Sequence, residues 1–145
     1  MNYDPGFAYR QHSVEGSSPV GLVVLLYGSI VASLLRAQEA MKQNDVEKRV
    51  RALNHALKVI GQLQATLDHQ RGGHVAAQLE RFYTVMSARV MEASIKCSPE
   101  ILQELVRYFT LLREAWQEVE RSTANATGTA SNAPGDTVAT QPAAV

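Results

Sequence analysis

The fold is decided by an uncharged stretch, residues 20–35, which reads VGLVVLLYGSIVASLL. A membrane-spanning helix needs about 20 apolar residues, and this stretch is interrupted by glycine and serine. It also continues without a break into a polar pattern that begins at Arg36. The basic region that precedes the apolar part of a signal peptide is nearly absent. We therefore predict a buried helix of a soluble protein, with no membrane insertion.

The first and fourth predicted helices begin with the same signal. Ser18-Pro19 and Ser98-Pro99 each place an N-cap serine before a proline at the first helical position, where the missing N–H costs nothing. Helix one is expected to run to about residue 43. Proline occurs only before, between and after the predicted helices, which agrees with its exclusion from helix interiors.

The middle of the chain is divided by a cap and by glycines. Asn44-Asp45 provides an N-cap, and helix two is predicted to run from there to Asp68. The pair Gly72-Gly73 then imposes a turn that residues with a β-carbon resist, and helix three follows it.

Apolar residues recur at spacings of three and four in helices two to four, as in helices that pack one face on a common core. The predicted core positions are Val46, Val50, Leu53, Leu57, Ile60 and Leu67, then Val75, Leu79, Phe82, Tyr83, Met86, Val90 and Ala93, then Ile101, Leu105, Tyr108, Phe109, Leu112, Trp116 and Val119. Short connections between long helices force antiparallel neighbours. The predicted fold is all-α, an antiparallel up-down-up-down four-helix bundle.

Three regions are predicted along the chain. Residues 1–17 form an N-terminal segment that is mostly polar but carries Phe7 and Tyr9. The bundle occupies residues 18–121. Residues 122–145 are small and polar with a single charge, Asp136, and they cannot offset the entropy of ordering. We predict a disordered C-terminal tail over this last region.

Residues that could support catalysis or metal binding are scarce. The 14 Lys and Arg balance the 14 Asp and Glu, so no general attraction to nucleic acid or to an anionic membrane is expected. The Glu-x-x-His pair of di-metal bundles does not occur in the sequence. Cys97 is the single cysteine, which excludes an internal disulfide. We predict no enzyme, no catalytic residue, no metal and no cofactor.

Helix one is apolar nearly all round. On a wheel at 100° per residue, the face that suffices for the core carries Val20, Val23, Val24, Tyr27, Ile30, Val31 and Leu34. The opposite side carries Gly21, Leu22, Leu25, Gly28, Ser29, Ala32 and Ser33, with Arg36 as its only charge. A four-helix bundle has no fifth helix to cover this side. The cover is the N-terminal segment, a second copy of the protein or a partner helix.

An ordered series of motifs resembles a known family. The series is Ala8-Tyr9, Val14, Ser18-Pro19, residues 22–27, Ala65-Thr66-Leu67-Asp68, Gly72-Gly73, Leu79, Phe82-Tyr83, Met86, Arg89, Ala93 and Arg113-Glu114-Ala115-Trp116. At these spacings, residues 8–120 are similar to the flagellar secretion chaperones of the FliS family. One departure follows Tyr27, where the family usually has an acidic residue and then glycine and this chain has Gly28 and Ser29.

The resemblance implies a cytoplasmic export chaperone. It implies a bundle that binds the C-terminal region of flagellin, prevents premature polymerisation and delivers flagellin to the export gate of the flagellar type III apparatus. The N-terminal segment around Tyr9 is similar to a movable cap that cargo displaces. The positions that carry the structural motifs are Ser18, Pro19, Tyr27, Leu67, Asp68, Gly72, Gly73, Tyr83 and Trp116.

The residues predicted to contact the partner are Phe7 and Tyr9 in the cap and Leu22, Leu25, Ser29 and Ala32 on helix one. An alternative hypothesis is a structural or adaptor bundle that self-associates through the same surface, as a homodimer without cargo. A divergent chaperone copy with a different flagellar cargo is also left open.

Overall fold

The structure is a computed structural model that describes residues 5–9 and 18–140, with side chains for residues 6, 8, 9 and 18–125. A short 3-10 helix, η1 (Pro5–Ala8), precedes four α-helices. These are α1 (Pro19–Lys42), α2 (Val46–Ala65), α3 (His69–Lys96) and α4 (Pro99–Thr140). Within the described ranges there is no strand, and one isolated bridge joins Tyr9 to Leu67.

The helices begin where side chains cap them. The Gly21 N–H donates to Ser18 Oγ at 2.9 Å, and Pro19 takes the first helical position of α1. Such a cap satisfies one of the backbone donors that a helix leaves free at its N-terminus. The capping side chains of the other three helices are Asp45 for α2, Asp68 for α3 and Ser98 for α4. The predicted starts of helices one, two and four are confirmed.

The four helices form the predicted bundle. α1 packs against α2 and α4, and α3 packs against the same two helices, so α1 and α3 lie diagonally across the core. Each connection is only a few residues long, which makes consecutive helices antiparallel. The largest fully buried side chains include Tyr27, Tyr83 and Phe109, and Trp116 is also buried.

The buried face of α2 differs from the predicted one. Val46 and Val50 are exposed, whereas Ala52 and Ala56 are buried. α2 packs extensively against α1, and small side chains allow two helices to approach closely. The prediction was wrong here because it followed the largest apolar residues and passed over the alanines. On α4, Tyr108 is likewise exposed.

The turn between α2 and α3 lies before the glycine pair. α2 ends at Ala65 and α3 begins at His69, so the predicted end of helix two at Asp68 was wrong. The predicted break at Gly72-Gly73 is confirmed at Gly73, whose non-helical φ of 49° and ψ of −119° kink α3. Backbone in this region is open to glycine and strained for other residues.

Ser33 is buried, although the wheel places it on the outer side of helix one. Its Oγ accepts a hydrogen bond from Arg36 Nη2 at 3.0 Å and forms another with His55 Nδ1 at 2.8 Å. A buried hydroxyl with two partners is satisfied. The expectation was wrong because His55 belongs to α2, which no pattern within helix one reveals.

α4 continues past the boundary predicted at residue 121 and extends to Thr140. The side chains of residues 121–125 are exposed, so this part of the extension adds nothing to the core. The division of the chain at residue 121 and the disorder of residues 122–145 stay predictions. Residues 141–145 and 1–4 lie outside the described part of the chain.

α1 is long and apolar enough to cross a membrane by length and composition alone. Its inner face nevertheless belongs to the bundle core, where Tyr27, Ile30 and Leu34 are fully buried. The central helix of a soluble protein has the same composition, so the helix is accounted for by the core that it forms.

Candidate functional site

The N-terminal segment is held at the turn between α2 and α3. The Asp68 N–H donates to the Ala8 carbonyl at 2.7 Å, and Tyr9 forms the antiparallel bridge with Leu67. A Cβ atom on Gly72 would lie 2.7 Å from Ala8 Cα. Gly72 is therefore needed because two backbones approach closely, and not because the chain turns there.

Three buried tyrosine hydroxyls join this segment to the bundle. Tyr83 of α3 hydrogen-bonds to Tyr9 and, at 2.6 Å, to Tyr27 of α1. The Trp116 ring packs edge-on against Tyr9 with centroids 5.5 Å apart. Burial raises the pKa of Tyr9 and Tyr83 well above the usual range and raises the pKa of Tyr27 to about 12. The three phenols are therefore neutral at physiological pH.

The structure does not bring Tyr9 and the outer side of α1 together. Tyr9 contacts α3, α4 and the inward-facing Tyr27, whereas Leu25 points away from the core and is 62% exposed. The described part of the N-terminal segment therefore leaves Leu25 uncovered. The backbone of Phe7 belongs to η1, and its side chain lies outside the described side chains.

The other predicted contact residues do share one surface. We define the α1 stripe as Leu22, Leu25, Ser29 and Ala32, of which Leu25 is exposed and the rest are half-buried. Their spacings of three and four place them in one row along the helix. Single exposed apolar residues are normal on a soluble protein. Leu25, however, has the half-buried Leu22 and Ala32 beside it in the row, and neighbouring apolar side chains at the surface can serve as a binding site.

A second apolar surface was missed by the sequence analysis. The α3–α4 groove is an open cavity of about 400 Å³ lined by Val75, Gln78, Leu79, Phe82, Tyr108, Leu111 and Leu112. Five of these residues were assigned to the core because their spacing is helical. The groove exists because α3 and α4 pack less extensively than α1 packs with either neighbour, and helical spacing alone cannot show how closely two helices approach.

The described ranges offer no candidate metal centre. There, no group of three or more His, Cys, Asp and Glu side chains could hold a metal ion. Cys97 is exposed at the C-terminus of α3, and its Sγ accepts a hydrogen bond from Arg49 Nη1 at 2.9 Å.

The family model described as Flagellar protein FliS matches residues 2–123. The chain belongs to the FliS family. Several relatives carry the name Flagellar secretion chaperone FliS. The Salmonella typhimurium protein is 31% identical over 117 residues, which cover 77% of this chain and 87% of that protein. The Bacillus subtilis protein is 30% identical over 119 residues, covering 82% and 88%. The Campylobacter jejuni protein is 30% identical over 115 residues, covering 79% and 90%.

Membership in the FliS family confirms the resemblance seen in the motif series. It gives the chain a chaperone role in flagellar export. FliS is a family of chaperones and not of enzymes, which agrees with a site made of apolar surfaces.

Proposed function

We propose that this chain binds the C-terminal region of flagellin in the cytoplasm, keeps it from polymerising and delivers it to the flagellar export gate. The α1 stripe carries the proposal, because Leu25 stands exposed on a helix whose other face forms the core. The resemblance to the family implies flagellin as the cargo. An amphipathic segment can lay its apolar face along such a row, with anchors at spacings of three and four.

The α3–α4 groove supports a cargo that wraps around the bundle. α1 and α3 are diagonal, so α4 separates the stripe from the groove. A segment that crosses α4 can reach both surfaces. A chain that folds on binding loses conformational entropy, and it offsets that loss by burying a large area. Two separate apolar surfaces offer more area than either surface alone.

The N-terminal segment acts in this proposal as the cap that cargo displaces. Its removal would expose Trp116 and the Tyr83 hydroxyl, which Tyr9 now covers. Cargo that replaces Tyr9 would have to provide both an apolar group and a hydrogen-bond partner, because an unpaired buried hydroxyl is costly.

The test is the substitution Leu25→Glu, measured by the affinity for the C-terminal segment of flagellin from the same organism. We expect binding to weaken by about a hundredfold or more, because a charged group would be buried against the cargo. Helicity by circular dichroism should stay that of the wild type, since Leu25 is exposed.

Ile95→Glu is the matched control, because Ile95 is 86% exposed on α3 and lies outside both apolar surfaces. Its affinity should stay within about twofold of the wild type. Wild-type affinity in Leu25→Glu would contradict the role of the α1 stripe.

The self-associating bundle makes a different prediction. It requires a dimer without cargo, whereas the chaperone proposal expects a monomer whose stripe is free. Light scattering of the purified chain decides between them. A dimer that dissociates in Leu25→Glu would favour self-association through the stripe.

A further inference from the structure

Arg113 of α4 lies half-buried at the boundary between α1 and α4. Its guanidinium packs over Gly28, where a Cβ atom would lie 3.4 Å from Cζ and 3.5 Å from Nη2. The Nε atom is buried and has no hydrogen-bond partner. Among the described residues, no carboxylate forms an ion pair with Arg113. A buried donor without a hydrogen-bond partner is costly, and an anionic partner relieves that cost.

The position of this cation links it to the α1 stripe. Gly28 lies three residues after Leu25 and four before Ala32, so the guanidinium sits along the edge of the stripe. Leu35, which is 47% exposed, lies seven residues after Gly28 and therefore in the same row of α1 as Gly28. A segment lying on the stripe would therefore pass beside Arg113.

We propose that Arg113 binds a carboxylate of the segment that occupies the α1 stripe. This surface then selects an amphipathic segment that carries Asp or Glu at the edge of its apolar face. The planar guanidinium can form two parallel hydrogen bonds with a carboxylate, which adds direction to the attraction. The inference rests on the proposed function and adds the charge that the cargo must present.

Glu120 is a second charged residue of α4 that packs over a glycine of α1, seven residues after Arg113. It packs over Gly21 as Arg113 packs over Gly28, and it accepts a hydrogen bond from Ser18 at 3.5 Å. Glu120 also lacks an ion pair among the described residues. Seven residues of helix separate the two charges by about 10 Å along the axis. A cargo segment with an acidic and a basic residue at that spacing matches both charges in one direction only.

Packing alone is the competing explanation, because an arginine stem can cover a glycine without any use of its charge. Arg113→Met keeps most of the stem and removes the guanidinium, so it separates the two roles. Arg107→Met is the matched control, since Arg107 is exposed on the same helix and loses the same charge.

The first test is calorimetric titration of the full chain with the flagellin C-terminal segment at low and high salt. Arg113→Met should weaken binding by about tenfold or more and make the affinity less dependent on salt. Arg107→Met should stay within about twofold of the wild type. If the wild type binds and Arg113→Met binds within about twofold of it, this inference is overturned while the proposed function stands. A wild-type chain that does not bind overturns both.

The second test supplies a carboxylate from within the chain. In the Gly28→Asp variant, the new carboxylate should pair with Arg113. This variant should therefore melt at a higher temperature than the Gly28→Asn variant. It should also bind the segment about tenfold more weakly than Gly28→Asn, because Arg113 is already paired. Asp and Asn have similar helix propensity, so the comparison isolates the charge. Equal melting temperatures and equal affinities for the two variants would show that the guanidinium takes no carboxylate, which overturns the inference.

Discussion

At the scale of single residues, glycine has a different role at each of four positions in the helices. Gly72 allows the Ala8 backbone to approach, and Gly73 supplies a positive φ. Gly28 leaves room for the guanidinium of Arg113, whereas Gly61 faces open space. The consequences of adding a methyl group therefore differ from site to site.

Gly72→Ala should loosen the N-terminal segment. The new methyl group would meet Ala8 backbone at a distance that real contacts do not reach, and overpacking of this kind costs about 1–3 kcal/mol. Urea unfolding measures the loss of stability, and hydrogen exchange at Asp68 reports release of its bond to Ala8.

Gly61→Ala is the matched control for this experiment. No atom lies within 4 Å of its new Cβ, and alanine favours the helix by about 0.5–1 kcal/mol. The chain should therefore gain stability. Equal effects of the two substitutions would contradict the close approach of Ala8 to Gly72.

The tyrosine cluster should make stability fall in alkaline solution. The pKa of a tyrosine in the unfolded chain is about 10, whereas burial raises the pKa of Tyr27 in the folded chain to about 12. Between these values the unfolded chain loses a proton that the folded chain keeps. The free energy of unfolding is therefore unaffected below about pH 10 and falls above it, by about 1.4 kcal/mol per pH unit for each such tyrosine.

Urea unfolding of the wild type and of Tyr27→Phe over this pH range measures the effect. The variant should show a shallower fall, because one titrating phenol is gone. The same dependence on pH in both proteins would show that Tyr27 does not titrate differently in the folded chain.

Single residues also show where sequence analysis succeeds. Ser18 and Asp45 were predicted as caps because a cap bonds to backbone three residues away. His55, which bonds to Ser33, and Tyr83, which bonds to Tyr9, lie 22 and 74 residues away, so no local pattern reveals them. Arg113 belongs to the motif Arg113-Glu114-Ala115-Trp116, but the buried Nε atom without a partner becomes evident only when α4 is placed on α1.

At the scale of helices, the kink at Gly73 redirects α3 soon after it leaves the turn that holds Ala8. Gly73→Val should lower the free energy of unfolding by about 3 kcal/mol or more, because a β-branched residue is strained at φ 49° and ψ −119°. Urea unfolding measures the change.

Gly61→Val is the control for that substitution, since Gly61 lies in regular helix with open space around it. Valine is no worse than glycine in a helix interior, so this variant should keep wild-type stability or gain slightly. A cost at Gly61 equal to that at Gly73 would contradict the special backbone of the kink.

The helices themselves could be predicted because their periodicity and caps are local. The face that α2 buries could not, because Ala52 and Ala56 carry little apolar area and become important only through close contact with α1. The α3–α4 groove was not predicted for a related reason. Phe82 and Leu112 have the helical spacing of core residues, yet they line an open cavity.

At the scale of the whole molecule, α1 serves both the core and the surface. Its inner face contacts the rest of the bundle, and its outer face carries the α1 stripe. The chain as a whole is neutral, with 14 basic and 14 acidic residues. Selection of a partner must therefore come from local features such as the stripe and the charges of Arg113 and Glu120, because long-range attraction is weak.

The most direct test of the account is calorimetric titration of the full chain with the C-terminal segment of flagellin from the same organism, at several temperatures. We predict saturable one-to-one binding with a negative change in heat capacity, because the cargo buries the apolar surfaces of the bundle. A folded, helical chain that binds no segment would contradict the proposal that flagellin is its cargo.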